Sequence, residues 1–146
     1  MTDNARGRKP IKSHRDLEVY VLAFQASMDI FRMTRTFPAE ERYSLTDQIR
    51  RSSRSVSANV AEAWRKRRYE GSFLLKLNDA EAEAAETQSW LEYTVECGYA
   101  DKTAAHDLYH CYDLIIGKLV TMLNNPGPWL LPSRTVKPAH NNHPTP

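Results

Sequence analysis

Between Asp16 and Phe37 the apolar residues form two interleaved rows, each advancing by alternate steps of four and three. Leu17, Val21, Phe24, Met28 and Phe31 make one row; Val19, Ala23, Ala26, Ile30, Met33 and Phe37 make the other. That period belongs to a bundle helix. A lone surface helix needs a single row. Two rows predict one seam inside the helix's own bundle and a second against another subunit.

The same period continues beyond a break at Phe37-Pro38, where the residue before proline avoids the α region. A second helix is expected from Pro38 or Ala39 to Arg67, with Glu40 and Glu41 suited to its N-terminal dipole. Leu45, Ile49, Val56, Val60, Ala63 and Trp64 are its apolar face. A third runs from about Tyr69 to Cys97, with Leu74, Leu77, Ala84, Leu91 and Val95 on one side. Its Ala80, Ala82, Ala84 and Ala85 allow a neighbour to approach closely. Gly98 suits the left-handed residue that ends it. Asp101 is the expected N-cap of a fourth helix carrying Leu108, Tyr112, Ile115, Leu119 and Met122. Asn124-Asn125-Pro126-Gly127-Pro128 stops that helix. No segment alternates as a strand does. The expected fold is all-α, an antiparallel up-down-up-down four-helix bundle. It occupies residues 13–125, between a basic tail (1–12) and a tail rich in Pro, Asn and His (126–146).

A chain of 146 residues holds one domain. Two cysteines, Cys97 and Cys111, make no disulfide framework and fit a reducing compartment. The N-terminal stretch lacks an apolar signal region, and no apolar run approaches the ~18 residues that span a bilayer. A cytoplasmic protein without membrane contact is expected.

The net charge of +2 conceals strong segregation. Residues 1–15 carry Arg6, Arg8, Lys9, Lys12 and Arg15 against Asp3, a net of +4. Residues 42–68 carry eight Lys and Arg against Asp47 and Glu62, a net of +6. Residues 69–101 hold Lys76 against eight acids, a net of −7. Such blocks either neutralise each other within one fold or mark different outer surfaces.

At about 100° per residue, Arg54, Arg65 and Arg68 fall within about 60° of Arg50 on the second helix. Ser57 and Ala61 lie between them and are too small to obstruct a ligand. A ridge formed by Arg50, Arg54, Arg65 and Arg68 suits a nucleic-acid backbone, because the guanidinium fork matches phosphate. The competing reading pairs these arginines with Asp79, Glu81, Glu83 and Glu86 of the next helix. Asn59, at the edge of the apolar face and three residues before Glu62, is expected to be structural, a partly buried polar residue that sets helix register.

An enzyme is not expected. His106 and His110 have the i,i+4 spacing of a zinc pair, yet the general-base Glu and an evident third ligand are missing. Tail residues His140 and His143 are the remaining histidines of that kind. Ser52, Ser53, Ser55 and Ser57 have no histidine nearby in the chain to activate them. There is no glycine-rich phosphate loop, and no Glu-x-x-His motif accompanies the acids of the third helix. Neither a metal nor a cofactor is expected.

Several strings together resemble one family. They are His14-Arg15-Asp16-Leu17-Glu18-Val19, Phe37-Pro38-x-x-Glu41, Leu45-Thr46-x-Gln48-Ile49-Arg50-Arg51-Ser52, Ser55-Val56-x-x-Asn59-Val60-Ala61-Glu62 and Cys97-Gly98-Tyr99. Over about residues 12–124 the chain resembles the four-helix-bundle proteins encoded in intervening sequences of bacterial 23S rRNA genes. Ala63 departs from the glycine usual there. The chain is similar, more distantly, to accessory proteins of diversity-generating retroelements, which partner a reverse transcriptase and nucleic acid. The resemblance implies a cytoplasmic bundle assembled as a ring of five, without established enzymatic activity. The arginine ridge would then be repeated around the ring, on its exterior, its central channel or its subunit contacts. The expected function is a non-enzymatic homo-oligomeric adaptor for nucleic acid, with RNA preferred to DNA through the resemblance. The alternative is a protein-interaction scaffold whose charged helices form subunit or partner contacts.

Overall fold

A computed structural model describes residues 10–132. The stretches 1–9 and 133–146, with Arg6, Arg8, Lys9, His140 and His143, lie outside the described residues. Four helices carry the fold: α1 (Glu18–Thr34), α2 (Leu45–Arg65), α3 (Glu70–Glu96) and α4 (Lys102–Asn124). No strand occurs among the described residues. Each helix packs on its sequence neighbours, and α4 closes back on α1. Residue pairs run in opposite order along the α2–α3 and α1–α4 contacts, and the short α1–α2 and α3–α4 connections fit the same up-down order. Glu62 of α2 meets Lys76 of α3, while Ser52 meets Thr87. Glu18 of α1 meets Lys118 of α4, and Asp29 shares a groove with Ala104 and Cys111. Neighbours are therefore antiparallel.

The apolar periodicity puts the expected side chains inside. Ile30, Ile49, Val56, Val60, Leu77, Leu91, Tyr112, Ile115 and Leu119 are all buried; on α3 the expected Leu74 and Val95 are half-buried, while Phe73, which was not expected, is buried. Of the four small residues on α3, Ala80 and Ala84 are buried, whereas Ala82 and Ala85 face solvent. The two rows of α1 separate through their middle, although Leu17 of the outer row is buried and Met33 and Phe37 of the inner row are half-buried. Val19, Ala23, Ala26 and Ile30 are in the core, while Val21 is 40% and Phe24 49% exposed. Met28 and Phe31 are half-buried beside them.

The helix ends differ from expectation between α1 and α2. α1 stops at Thr34, three residues early, because Arg35 and Phe37 donate to carbonyls three residues back and tighten the chain before Pro38. α2 begins at Leu45 rather than at Pro38 or Ala39, since Ala39–Glu41 forms a separate 3-10 turn. Glu41 still serves the α2 N-terminus, from outside the helix. One carboxylate oxygen accepts the Leu45 amide at 3.0 Å and the Ser44 hydroxyl at 2.9 Å. The other accepts from Tyr99 Oη at 3.3 Å, while the Phe37 and Tyr99 rings lie 5.6 Å apart. The α1–α2 and α3–α4 connections are thus fastened at one end of the bundle.

Gly98 ends α3 with φ +70°. Its amide donates to Val95 O and that of Tyr99 to Thr94 O, both at 3.0 Å, so two orphan carbonyls are satisfied. A Cβ there meets no atom within 4 Å. Gly98→Ala is expected to cost about 1–2 kcal/mol through the left-handed backbone alone. A urea titration should show a lower midpoint with an unchanged slope. Asp101 caps α4 by accepting the Ala104 amide at 3.0 Å.

The packed body extends past residue 125, further than the sequence boundary. Gly127–Trp129 makes a 3-10 turn, and Trp129 and Leu130 pack against the core. The Leu131 amide donates to Arg67 O at 3.3 Å, which ties this segment to the α2–α3 turn. Burial of two large apolar side chains holds a proline- and glycine-rich stretch in place.

Candidate nucleic-acid interface

The arginines of the sequence ridge occupy three different settings. Arg50 is half-buried on the α1 side, where its Nε donates to Thr34 Oγ1 at 2.8 Å. Its guanidinium lies 5.0 Å from the centre of the Phe31 ring. Arg50 therefore fastens α2 to α1. Arg54 is exposed near the middle of α2, with the buried Ser57 and half-buried Ala61 following it. Arg65 is exposed at the last residue of α2. Arg68 is exposed too, but it lies beyond the helix, because Lys66 leaves the α region and the chain turns toward α3. Helical projection does not apply to Arg68. The continuous ridge of four is corrected to one structural arginine, one on the helix flank and two at the bundle end.

Among the described residues, no carboxylate lies within ion-pair distance of Arg54, Arg65 or Arg68. Of the α3 acids that were candidates to neutralise them, Asp79, Glu83 and Glu86 are engaged otherwise. Lys76 sits 3.1 Å from Glu62 and 3.6 Å from Asp79, and both carboxylates raise its pKa. Burial, then Glu86 and Asp79, push the Glu83 carboxyl above the usual range, with Arg51 opposing. Glu83, Glu86 and Asp79 crowd one another, and Arg51 of the basic block lies close enough to offset part of that repulsion.

The end of the bundle beyond α2 concentrates positive charge. Arg65, Lys66, Arg67 and Arg68 follow one another. Arg67 is half-buried, with its guanidinium 3.4 Å above the Trp64 ring and its Nε 2.6 Å from Trp64 O. Burial, and after it the neighbouring Arg65, lower its pKa. The 3-10 turn His14–Asp16 packs on α2. Because α1 and α2 are antiparallel, that turn brings Lys12 and Arg15 to this same end.

Asn59 is half-buried as expected, and among the described residues its side chain bonds within its own helix rather than across to another. Its Nδ2 donates to Ser55 O of its own helix at 2.9 Å. Glu62 supplies the link to α3 instead, through Lys76. Further cross-links come from residues whose sequence positions gave no sign of that role. Thr87 Oγ1 lies 2.8 Å from Ser52 Oγ, and Gln88 Nε2 donates to Asp113 Oδ1 at 2.8 Å. His106 and His110 are exposed at the rim of an α3–α4 groove of about 470 Å³ floored by Leu91 and Val95. His110 Nδ1 is 3.8 Å from Asp113. Among the described residues, no three His, Cys, Asp or Glu side chains are arranged to hold a metal. No described helix is long and apolar enough to cross a membrane.

The family model for 23S rRNA-intervening sequence proteins matches residues 15–121, from the turn before α1 to the last turn of α4. The chain belongs to that family. Among solved structures it is similar to a crystal structure from Bacteroides thetaiotaomicron VPI-5482, a protein of unknown function from the S23 ribosomal protein family. The TM-score is 0.67 at 25% identity, over 73% of this chain and 99% of the other. No curated protein matches the chain. Several residues that carry the family resemblance are structural here. Phe37, Glu41 and Tyr99 fasten the connections, Gly98 terminates α3, and Arg50 joins α2 to α1. Ala63, at the family's glycine position, is fully buried in the core.

Proposed function

We propose that this chain is a non-enzymatic, homo-oligomeric adaptor for nucleic acid, RNA in particular. Its phosphate contacts are Arg54, Arg65 and Arg68, with Lys12 and Arg15 adjoining. One observation carries the reading: these three arginines are exposed and have no carboxylate partner among the described residues. A guanidinium without an internal acid keeps its fork of donors available to phosphate. The preference for RNA over DNA rests on the family resemblance.

Self-association is supported by the outer row of α1, where Val21 and Phe24 stand exposed beside Met28 and Phe31. The resemblance implies five copies. A ring would repeat each basic surface, and several modest contacts on one RNA would act as a single strong one.

The test is fluorescence anisotropy of the purified chain with structured RNA and duplex DNA across a salt series, with mass measured in parallel. Binding should weaken steeply with salt, with a log–log slope of about −0.9 per neutralised duplex phosphate. An intact oligomer that binds neither nucleic acid at low salt overturns the reading. The exposed α1 row and the acidic α3 surface then favour the second reading, a protein scaffold assembled through its charged and apolar helix faces. Under that reading, Gln in place of the arginines dissociates the oligomer or releases a protein partner.

A further inference from the structure

Tyr69 breaks a local rule. It occupies the N-cap of α3, where Ser, Thr, Asp or Asn accepts an otherwise orphaned amide, and no side-chain cap bond is made there. The residue is 67% exposed, and among the described residues no aromatic ring or cation is stacked on it. The backbone around it is nevertheless fixed. The Tyr69 amide donates to Lys66 O at 3.1 Å, and its carbonyl accepts from the Phe73 amide at 3.0 Å. A large apolar ring is thus held in solvent on a rigid turn, at a position where a small polar residue would stabilise the helix. A local choice that costs stability without compensation in the fold marks a functional position.

The surroundings identify what the ring meets. Arg65, Lys66 and Arg68 precede it and are exposed, while Glu70 is the one acid adjoining it in sequence. Cations that take phosphates around a free aromatic ring are the elements of a single-strand site, where an unpaired base stacks on the ring. Bases within a duplex are stacked on both faces and cannot use it.

We propose that the α2–α3 turn binds single-stranded RNA, with an unpaired base stacked on Tyr69 and the adjoining phosphates held by Arg65 and Arg68. This rests on the nucleic-acid reading above, and it specifies the strand that is recognised. The experiment uses the full chain, a labelled oligouridylate and a fully paired RNA duplex, with binding followed by anisotropy across salt. Wild type should prefer the single strand. Tyr69→Ala should lose roughly 5- to 100-fold on the oligouridylate, the range expected for one base–aromatic stack, while its salt slope and duplex affinity stay unchanged. Tyr69→Phe, which keeps the ring, should bind as wild type does. Arg65→Gln with Arg68→Gln should lower affinity and flatten the slope on both RNAs. Equal wild-type affinity for the two RNAs overturns the proposal. So does unchanged oligouridylate binding by Tyr69→Ala while the arginine variant is weakened; phosphate binding then stands without base stacking. If wild type binds neither RNA, the underlying nucleic-acid reading fails as well.

Discussion

Phe73→Ala is expected to destabilise the bundle by about 3–5 kcal/mol, the range for truncating a buried aromatic side chain. Phe73 is 1% exposed and sits one turn into α3, where the α2–α3 interface is the most extensive in the fold. The register set by Glu62 with Lys76, and by Ser52 with Thr87, puts it beside the last turn of α2. Its neighbours there, Ala63 and Trp64, are themselves buried members of the same core. They cannot collapse into the vacated volume without moving the helix end. Loss of packing therefore adds to the lost transfer free energy. Against a total stability of about 5–15 kcal/mol for a domain of this kind, the change removes about a fifth or more. A urea titration followed by circular dichroism measures it. Phe73→Leu, which leaves most of the volume filled, should lose much less. A destabilisation below ~1 kcal/mol for Phe73→Ala would mean that this end of the core is loosely packed.

The apolar residues were legible because helical periodicity is a local signal and burial follows from it directly. Ile49, Val56, Val60 and Trp64 on α2, and Leu77, Ala84 and Leu91 on α3, are buried as their spacing requires. Gly98 and Asp101 were legible for a similar reason, since each has one backbone task at a helix end. The start of α2 was not. Glu40 and Glu41 carry the charge of a helix N-terminus, but charge acts through space. Glu41 caps the helix from a preceding turn rather than from its first residues. Buried Ser52, Ser53, Ser57, Thr87 and Thr94 escaped notice as core residues because hydroxyls read as polar. Inside a helix Ser53, Ser57 and Thr94 satisfy themselves on the carbonyl three or four residues back. Their signal in the sequence was position alone, Ser53 and Ser57 on the α2 face of Ile49, Val56 and Val60, and Thr94 on the α3 face of Ala80, Ala84 and Leu91.

The arginine ridge shows the same division at the candidate site. Helical projection related Arg50 to Arg54 correctly, as residues of one helix four apart. It could not foresee that Thr34 and Phe31 of α1 would claim the Arg50 side chain. Nor could it foresee that α2 would end before Arg68. From Arg50 to Arg65 the helix rises about 22 Å, so these two arginines stand in separate regions of the molecule.

That separation predicts opposite behaviour for two sets of substitutions. Replacing Arg54, Arg65 and Arg68 together with Gln should weaken RNA binding about 100-fold near 0.1 M salt, with little change in stability. Each phosphate neutralised on a single strand adds about 0.7 to the log–log slope. Leaving three phosphates unneutralised, over the decade of salt between about 0.1 M and 1 M, therefore amounts to roughly two orders of magnitude. The slope itself should flatten by about 2. Stability should hold, because no ion pair to these side chains occurs among the described residues. Arg50→Gln should do the reverse. It removes a hydrogen bond to the buried Thr34 and a cation–ring interaction with Phe31, a loss of about 1–2 kcal/mol in unfolding measurements. Its salt slope on RNA should match wild type. If Arg50→Gln flattens the slope as much as the triple variant does, Arg50 leaves Thr34 on binding and the ridge acts as one surface. If the triple variant instead lowers the oligomer's mass, those guanidinium groups meet carboxylates of a neighbouring copy rather than phosphates.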